Sequence, residues 1–103
     1  MMSEPAVTVA HLIERALSAH AALAERGETI ANEWQYVTDL GTVWRARLEA
    51  VATARGSEAV DPATVAAFDA LAAEAARITD PHKAIDWLST LPQVALLALG
   101  EAA

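Results

Sequence analysis

Apolar residues recur at intervals of three and four along most of the chain, which is the spacing of helices that bury one face. In the first such run, Gly27 follows Arg26 and is typical of the residue just beyond the end of a helix. We therefore predict a first helix over residues 8–26. Its buried face would carry Val9, Leu12, Ile13, Ala16, Leu17, Leu23 and Ala24.

A second and longer helix is predicted over residues 30–55. Thr29 stands before it, where a hydroxyl can accept a hydrogen bond from an unpaired N–H, and Gly56 follows it. At about 1.5 Å per residue this helix is roughly 38 Å long, whereas a compact domain of this size has a radius of gyration of about 13 Å. We expect the helix either to bend at Gly41 or to pack part of its length against another chain.

Proline residues mark the remaining boundaries. Asp61 and Asp80 each precede a proline, and an aspartate cap followed by a proline is a common start of a helix. These two starts predict helices over residues 62–78 and 81–91. Pro92 is expected to break the second of them and to open a short helix over residues 93–99. No alternating pattern typical of a strand occurs.

The chain has the length of one domain, and short connections favour antiparallel neighbours. We therefore predict a single all-α domain over residues 1–103, a small antiparallel bundle of three main helices plus a short C-terminal helical cap. Alanine makes up about a quarter of the chain, and large apolar residues are correspondingly sparse. Such a thin core favours closely spaced helices or a second subunit.

The second predicted helix carries a seam with a glycine at its middle. A glycine inside a helix costs about 1 kcal/mol relative to alanine, but it lets a neighbouring backbone come close. The seam has the alternating spacing of a heptad repeat and comprises Ile30, Trp34, Val37, Gly41, Trp44, Leu48 and Val51. Within it we predict an interface formed by Trp34, Val37, Gly41, Trp44 and Leu48.

The partner of this interface is either another helix of the same chain or a second subunit. Acidic residues concentrate in the first half of the helix and basic residues in the second half, with Glu49 as the exception. This order suits an antiparallel copy of the same helix, although it also complements the helix dipole. We predict a homodimer.

Charge excludes several classes of partner. The chain holds 14 acidic and 7 basic residues, and its formal net charge of -7 repels phosphates and anionic lipid surfaces. We predict neither nucleic-acid nor membrane binding. A helix-turn-helix made of the third and fourth helices would offer only His82 and Lys83 at the start of its recognition helix. No cysteine is present, and no apolar run reaches the roughly 20 residues of a membrane span, so we expect a cytoplasmic protein.

An alternative class is a helical-bundle enzyme or a small-ligand-binding protein. Glu33, Tyr36 and Asp39 lie close together on the second helix, and His20 falls on the apolar face of the first. A carboxylate, a phenol and an imidazole could line a pocket, and a desolvated Glu33 could act as a general base. Consecutive positions fan out around a helix, which argues against this arrangement. The two classes differ in whether these four side chains converge.

Other chemistry has little support in the chain. The pairs His11–Glu14 and His82–Asp86 each supply two candidate metal ligands, whereas a protein site needs three or four. No nucleophile elbow, phosphate-binding loop or dinucleotide fingerprint occurs. We predict no metal and no cofactor, and no catalytic activity is evident.

The last feature of the hydrophobic pattern is the C-terminal segment. Residues 94–99 are apolar on every face, so they must be buried on every face. They either close the end of the bundle or dock into a groove of another protein. Together, these features predict a small acidic interaction or assembly module that self-associates through its second helix.

Overall fold

α1, Val9–Gly27, is the helix around which the molecule is arranged, because it contacts each of the other three. The computed structural model describes residues 7–30, 32 and 34–101. The other helices are α2 (Trp34–Arg55), α3 (Pro62–Ala76) and α4 (Pro81–Ala98). The predicted all-α bundle is confirmed. The described residues form four helices, since the predicted C-terminal cap is the continuation of α4.

Close approaches near the ends of α1 give the direction of its neighbours. A Cβ atom added to Gly27 would lie 2.9 Å from Ile85 of α4 and 3.2 Å from Val37 of α2. Gly56 directly follows α2, and a Cβ atom added to it would lie 3.4 Å from the Cβ atom of Ala10, at the other end of α1. The last turn of α1 therefore meets the first turns of α2 and α4, so both run antiparallel to it.

The core lies between α1 and the faces of the other helices that point toward it. Its largest side chains are completely shielded from solvent, which is how a chain so rich in alanine fills its interior. They are Leu12, Ile13, Leu23, Leu48, Phe68, Leu88, Leu91 and Leu96. Val9, Val37 and Pro92 are buried with them.

The connection between α2 and α3 closes the N-terminus of α1. The N–H of Val9 donates to the carbonyl of Glu58 at 2.9 Å, and the N–H of Ala10 donates to that of Gly56 at 3.2 Å. The Thr8 hydroxyl accepts a hydrogen bond from the N–H of His11 at 3.3 Å. These acceptors satisfy three donors that a helix start leaves unpaired.

The second helix begins later than predicted. Residues 28–30 continue the last turn of α1, because the N–H of Glu28 donates to Ala24 and that of Ile30 donates to Gly27. The Thr29 hydroxyl donates to the carbonyl of Arg26 at 2.8 Å and accepts no hydrogen bond from an N–H of a described residue. α2 therefore starts at Trp34 rather than at residue 30, while Ala31 and Glu33 lie outside the described residues.

The expected break at Pro92 does not occur, and this prediction was wrong. α4 runs from Pro81 to Ala98 with Pro92 buried inside it. The fourth predicted helix, 81–91, and the short one, 93–99, are thus one element. A proline inside a helix leaves the carbonyl four residues earlier without its donor, and here that carbonyl belongs to Leu88.

The end of α4 lies in the core of its own chain. Ala95 and Leu96 are completely buried and Leu99 is nearly so, whereas Leu97 is 61% exposed. Gly100, at φ 77°, turns the chain so that the N–H of Glu101 donates to Leu96 at 2.9 Å. Of the described residues, none belongs to a helix long and apolar enough to cross a membrane.

Arg55 joins the ends of α2 and α4. Its Nη1 donates to the carbonyl of Leu99 and to the carboxylate of Glu101, both at 2.7 Å. Its Nε and Nη2 donate to the carboxylate of Glu58 at 3.1–3.2 Å. These hydrogen bonds raise the pKa of Arg55 and lower that of Glu58. The guanidinium thus holds the α2–α3 connection and the C-terminus of α4 together.

Candidate functional site

An open groove of about 350 Å³ runs between α1 and α2. From α1 and the residue after it, the groove is lined by Leu17, His20, Ala21, Ala24, Glu25 and Glu28. From α2 it is lined by Val37, Thr38, Gly41, Thr42 and Arg45. Because the two helices are antiparallel, Glu28 and Val37 lie toward one end of the groove, and His20 and Arg45 lie toward the other.

Gly41 leaves the groove open at its middle. Apart from its chain neighbours and the adjacent backbone of α2, a Cβ atom added there would have no heavy atom of a described residue within 4 Å. No other described part of the chain therefore crosses α2 closely at this position. The close packing predicted at Gly41 is not made within the described chain, and the space in front of it is unfilled.

The predicted interface residues lie in different environments. Val37 and Leu48 are completely buried in the core of their own chain, so at these two positions the partner of the seam belongs to the same chain. Trp44 is half-buried and packs against the same core. Trp34 is 54% exposed. The seam therefore divides into an inner part that holds α2 to the bundle and an outer part made of Trp34 and Gly41.

The charged side chains of the groove are separated along its length. Glu25 and Glu28 lie near the end of the groove where α1 passes into α2. Arg45 lies toward the opposite end, two turns of α2 beyond Thr38. Among the residues that the structure describes, none of these three forms an ion pair. The groove thus has an acidic end and a basic end, and no ion pair among residues 7–30, 32 and 34–101 neutralises either of them.

His20 forms part of the groove wall and is only 4% exposed. Its Nε2 lies 2.7 Å from the carbonyl oxygen of Leu88. A carbonyl can only accept, so Nε2 carries the hydrogen and donates. This carbonyl is the one that Pro92 leaves without a helical donor, so His20 of α1 replaces the hydrogen bond that proline removes from α4.

Burial lowers the pKa of the His20 imidazole, and the charge of Arg45 lowers it further, against the opposing effect of the bond to Leu88. The ring is therefore neutral at pH 7. In the neutral ring with a hydrogen on Nε2, the other nitrogen, Nδ1, is a hydrogen-bond acceptor. No described residue donates to it.

The remaining predicted pocket residues do not join His20. Tyr36 is 52% exposed, and Asp39 accepts a hydrogen bond from Nε2 of Gln35 at 3.0 Å on the outer surface of α2. Neither residue lines the groove. Glu33 lies outside the described residues. The described members of the predicted pocket thus lie on separate faces.

The two pairs of candidate metal ligands, His11–Glu14 and His82–Asp86, likewise gain no third ligand among the described residues. His11 and Glu14 are exposed on α1, and the N–H of His82 donates to Asp80 at 2.9 Å. Within the described ranges, no group of three or more histidine, aspartate or glutamate side chains is placed to hold a metal ion.

The feature of the site that the sequence patterns did not indicate is the pairing of His20 with Leu88. Pro92 was the available signal for it, because a proline inside a helix identifies the carbonyl that needs a donor. Comparison of the chain with protein-family models, with curated proteins and with solved structures found no match.

Proposed function

We propose that this chain is a cytoplasmic assembly module that forms a homodimer through the groove between α1 and α2. In the dimer, α2 of one copy lies antiparallel to α2 of the other, and the two helices cross near Gly41. The interaction itself is the function, and no reaction is assigned to the site.

Gly41 is the observation that carries this proposal. A glycine in the interior of a helix is less favourable than alanine by about 1 kcal/mol. At Gly41 an alanine side chain would meet no other described part of the chain, so packing among the described residues offers no reason for the glycine. A second helix crossing at this position does offer one, because it would occupy the space that a side chain otherwise fills.

The distribution of charge favours a second copy as the occupant. In a two-fold dimer, each contact between two different residues occurs twice. An antiparallel α2 that crosses near Gly41 carries its own Arg45 toward the end of the groove that holds Glu25 and Glu28. By symmetry, Arg45 of the first copy meets the acidic end of the second groove. Each unpaired charge at the groove then has an opposite charge nearby.

Trp34 supplies apolar area beside the crossing point. Its side chain is the most exposed of the indoles that the structure describes in α2, and it lies on the same side of the helix as Gly41, seven residues away. Aromatic side chains that become buried on association commonly contribute much of the binding free energy. Trp34 is therefore the expected anchor of the dimer.

The experiment compares stability and association in the Gly41→Ala variant. In the monomer the substitution should raise the free energy of unfolding by up to about 1 kcal/mol, because helix propensity improves and nothing is displaced. In the dimer the added methyl group should weaken association, because it separates the helices. Denaturant unfolding at low concentration measures the first effect, and sedimentation equilibrium at micromolar concentration measures the second.

Gly41→Leu should weaken association further, while Ala46→Leu provides the matched control. Ala46 is exposed on α2 and does not line the groove, so a leucine there should leave the dissociation constant unchanged. A parent chain that sediments as a monomer contradicts the proposal. So does a Gly41→Leu variant that dimerises as well as Ala46→Leu.

A further inference from the structure

We infer that His20 is the recognition residue of the groove: its Nδ1 accepts a hydrogen bond from an N–H or O–H group of the second copy, so association requires a neutral imidazole. This inference rests on the proposed dimer and adds a specific contact and a pH dependence to it. Four observations lead to it.

The first is the backbone of α4. Pro92 has no N–H, so the carbonyl of Leu88 receives no hydrogen bond from its own helix at that position. A buried carbonyl without a donor is costly. The Nε2–H of His20, at 2.7 Å, meets this need. The histidine is thereby held in one orientation and in one tautomer.

The second is the other nitrogen of the ring. Nδ1 of the neutral ring is an acceptor, it belongs to a side chain that is 4% exposed, and no described residue donates to it. Because His20 lines the groove, a second chain that covered the groove without a donor would leave this acceptor buried and unpaired. Such a contact would be penalised.

The third is the set of donors that a second copy brings. The side of its α2 that carries Gly41 also presents the exposed Trp34 indole, with an N–H donor. In the proposed dimer the guanidinium of its Arg45 lies at the other end of the groove, near Glu25 and Glu28. The hydroxyls of Thr38 and Thr42 already donate to carbonyls of their own helix, at 2.8 and 3.0 Å. The indole N–H is thus the donor that this side of the second α2 offers to Nδ1.

The fourth is the set of charges around the ring. Arg45 of α2 is the cation whose charge acts on the imidazole. Glu25 and Glu28 of the same chain line the other end of the groove, and α4 contributes the Leu88 carbonyl. In the proposed dimer, Glu25 and Glu28 of the second copy face Arg45. Protonation converts Nδ1 from an acceptor to a donor and places a second positive charge beside Arg45. A donor of the second copy would then face a donor, and the contact would be lost.

The test is the dissociation constant of the dimer, measured by sedimentation at several values between pH 7.5 and 5.0. Release of one proton from each of the two copies on association makes the dissociation constant rise by up to about a hundredfold for each pH unit below the pKa of His20. The His20→Gln variant should associate at every pH with a constant affinity. Glutamine offers an amide N–H to Leu88 and an amide oxygen in place of Nδ1, and it does not titrate.

A variant with both His11→Gln and His82→Gln is the control, because those two histidines are exposed and do not line the groove. It should keep the pH dependence of the parent. Circular dichroism at each pH restricts the comparison to folded protein. If His20→Gln does not fold, long-range proton–nitrogen NMR of the parent decides, because the Nδ1 resonance of His20 should be that of a bare nitrogen and should shift on dimerisation.

The outcomes separate the two proposals. A parent chain that is monomeric at pH 7.5 overturns the dimer and this inference together. A dimer whose affinity does not change with pH, or changes equally in His20→Gln, overturns the inference and leaves the dimer standing. An Nδ1 resonance that does not respond to dimerisation has the same meaning.

Discussion

Two residues of this protein matter because of a group that their residue type lacks. Pro92 has no backbone N–H, and Gly41 has no Cβ atom. At position 92 the missing atom is a backbone hydrogen, and the result is a carbonyl on α4 that only a side chain from another helix can satisfy. His20 satisfies it, which places an imidazole in the wall of a groove. At position 41 the missing atom is Cβ, and the result is space in the same groove. Both features converge on one surface.

The coupling between His20 and Pro92 can be measured with a double-mutant cycle. His20→Leu should destabilise the chain by about 1–3 kcal/mol, because it leaves the buried Leu88 carbonyl without a donor. In a Pro92→Ala background the restored N–H can donate to that carbonyl, so the same substitution should cost about 1 kcal/mol less. Denaturant unfolding of the four proteins gives the coupling energy. A cost of His20→Leu that is equal in both backgrounds would show that the hydrogen bond is not the link.

At the scale of helices, the two Asp-Pro starts have different strengths. The Asp80 carboxylate accepts a hydrogen bond from the N–H of His82 at 2.9 Å, whereas the Asp61 carboxylate makes no such bond at the start of α3. Asp80→Ala should therefore lower the free energy of unfolding by about 1 kcal/mol. Asp61→Ala should lower it by only a few tenths of a kcal/mol, and equal losses in thermal or chemical unfolding would contradict this assignment.

The sequence predicted the helix boundaries correctly where the residues that determine a boundary are its near neighbours in the chain. The starts at Pro62 and Pro81 follow from the residue before each proline and from the ring's fixed backbone angle. The continuation of α4 through Pro92 could not be predicted in this way, because the compensating donor is 72 positions earlier, at His20. Sequence rules for proline describe the cost within one helix, and they do not include a donor supplied by another.

The same limit applies to the candidate site. The spacing of four and three correctly marks one side of α2, but it cannot tell which part of that side meets the core. Val37 and Leu48 are completely buried while Trp34 stays exposed, so one predicted seam becomes a core contact and a groove edge. The convergence of His20, Gly41 and Arg45 depends on the antiparallel placement of α1 and α2, which no local pattern contains.

At the scale of the whole molecule, the bundle is elongated, with extents of 53 × 26 × 19 Å. The end of α4 contributes to its interior through Ala95, Leu96 and Leu99. Burial of one leucine side chain contributes about 1.5–3 kcal/mol, and a domain of this size is stable by only about 5–15 kcal/mol. The last turns of α4 therefore represent a large share of the stability of the fold.

Truncation after Leu91 should for this reason abolish cooperative unfolding, and circular dichroism with thermal melting would detect the loss. Leu97→Ser provides the control, because Leu97 is 61% exposed and its replacement should leave the melting temperature almost unchanged. A truncated chain that still melts cooperatively near the parent temperature would instead favour a segment that serves to dock into another protein.

The meeting of two copies at Gly41 is tested most directly by cross-linking at the neighbouring groove residue. The chain contains no cysteine, so Thr42→Cys and Ala46→Cys each introduce one thiol, at the groove and away from it respectively. With a short bismaleimide at micromolar concentration, Thr42→Cys should form a covalent dimer rapidly and Ala46→Cys slowly, and Gly41→Leu should suppress the rapid reaction. Equal slow rates at the two positions would contradict a dimer that crosses at Gly41.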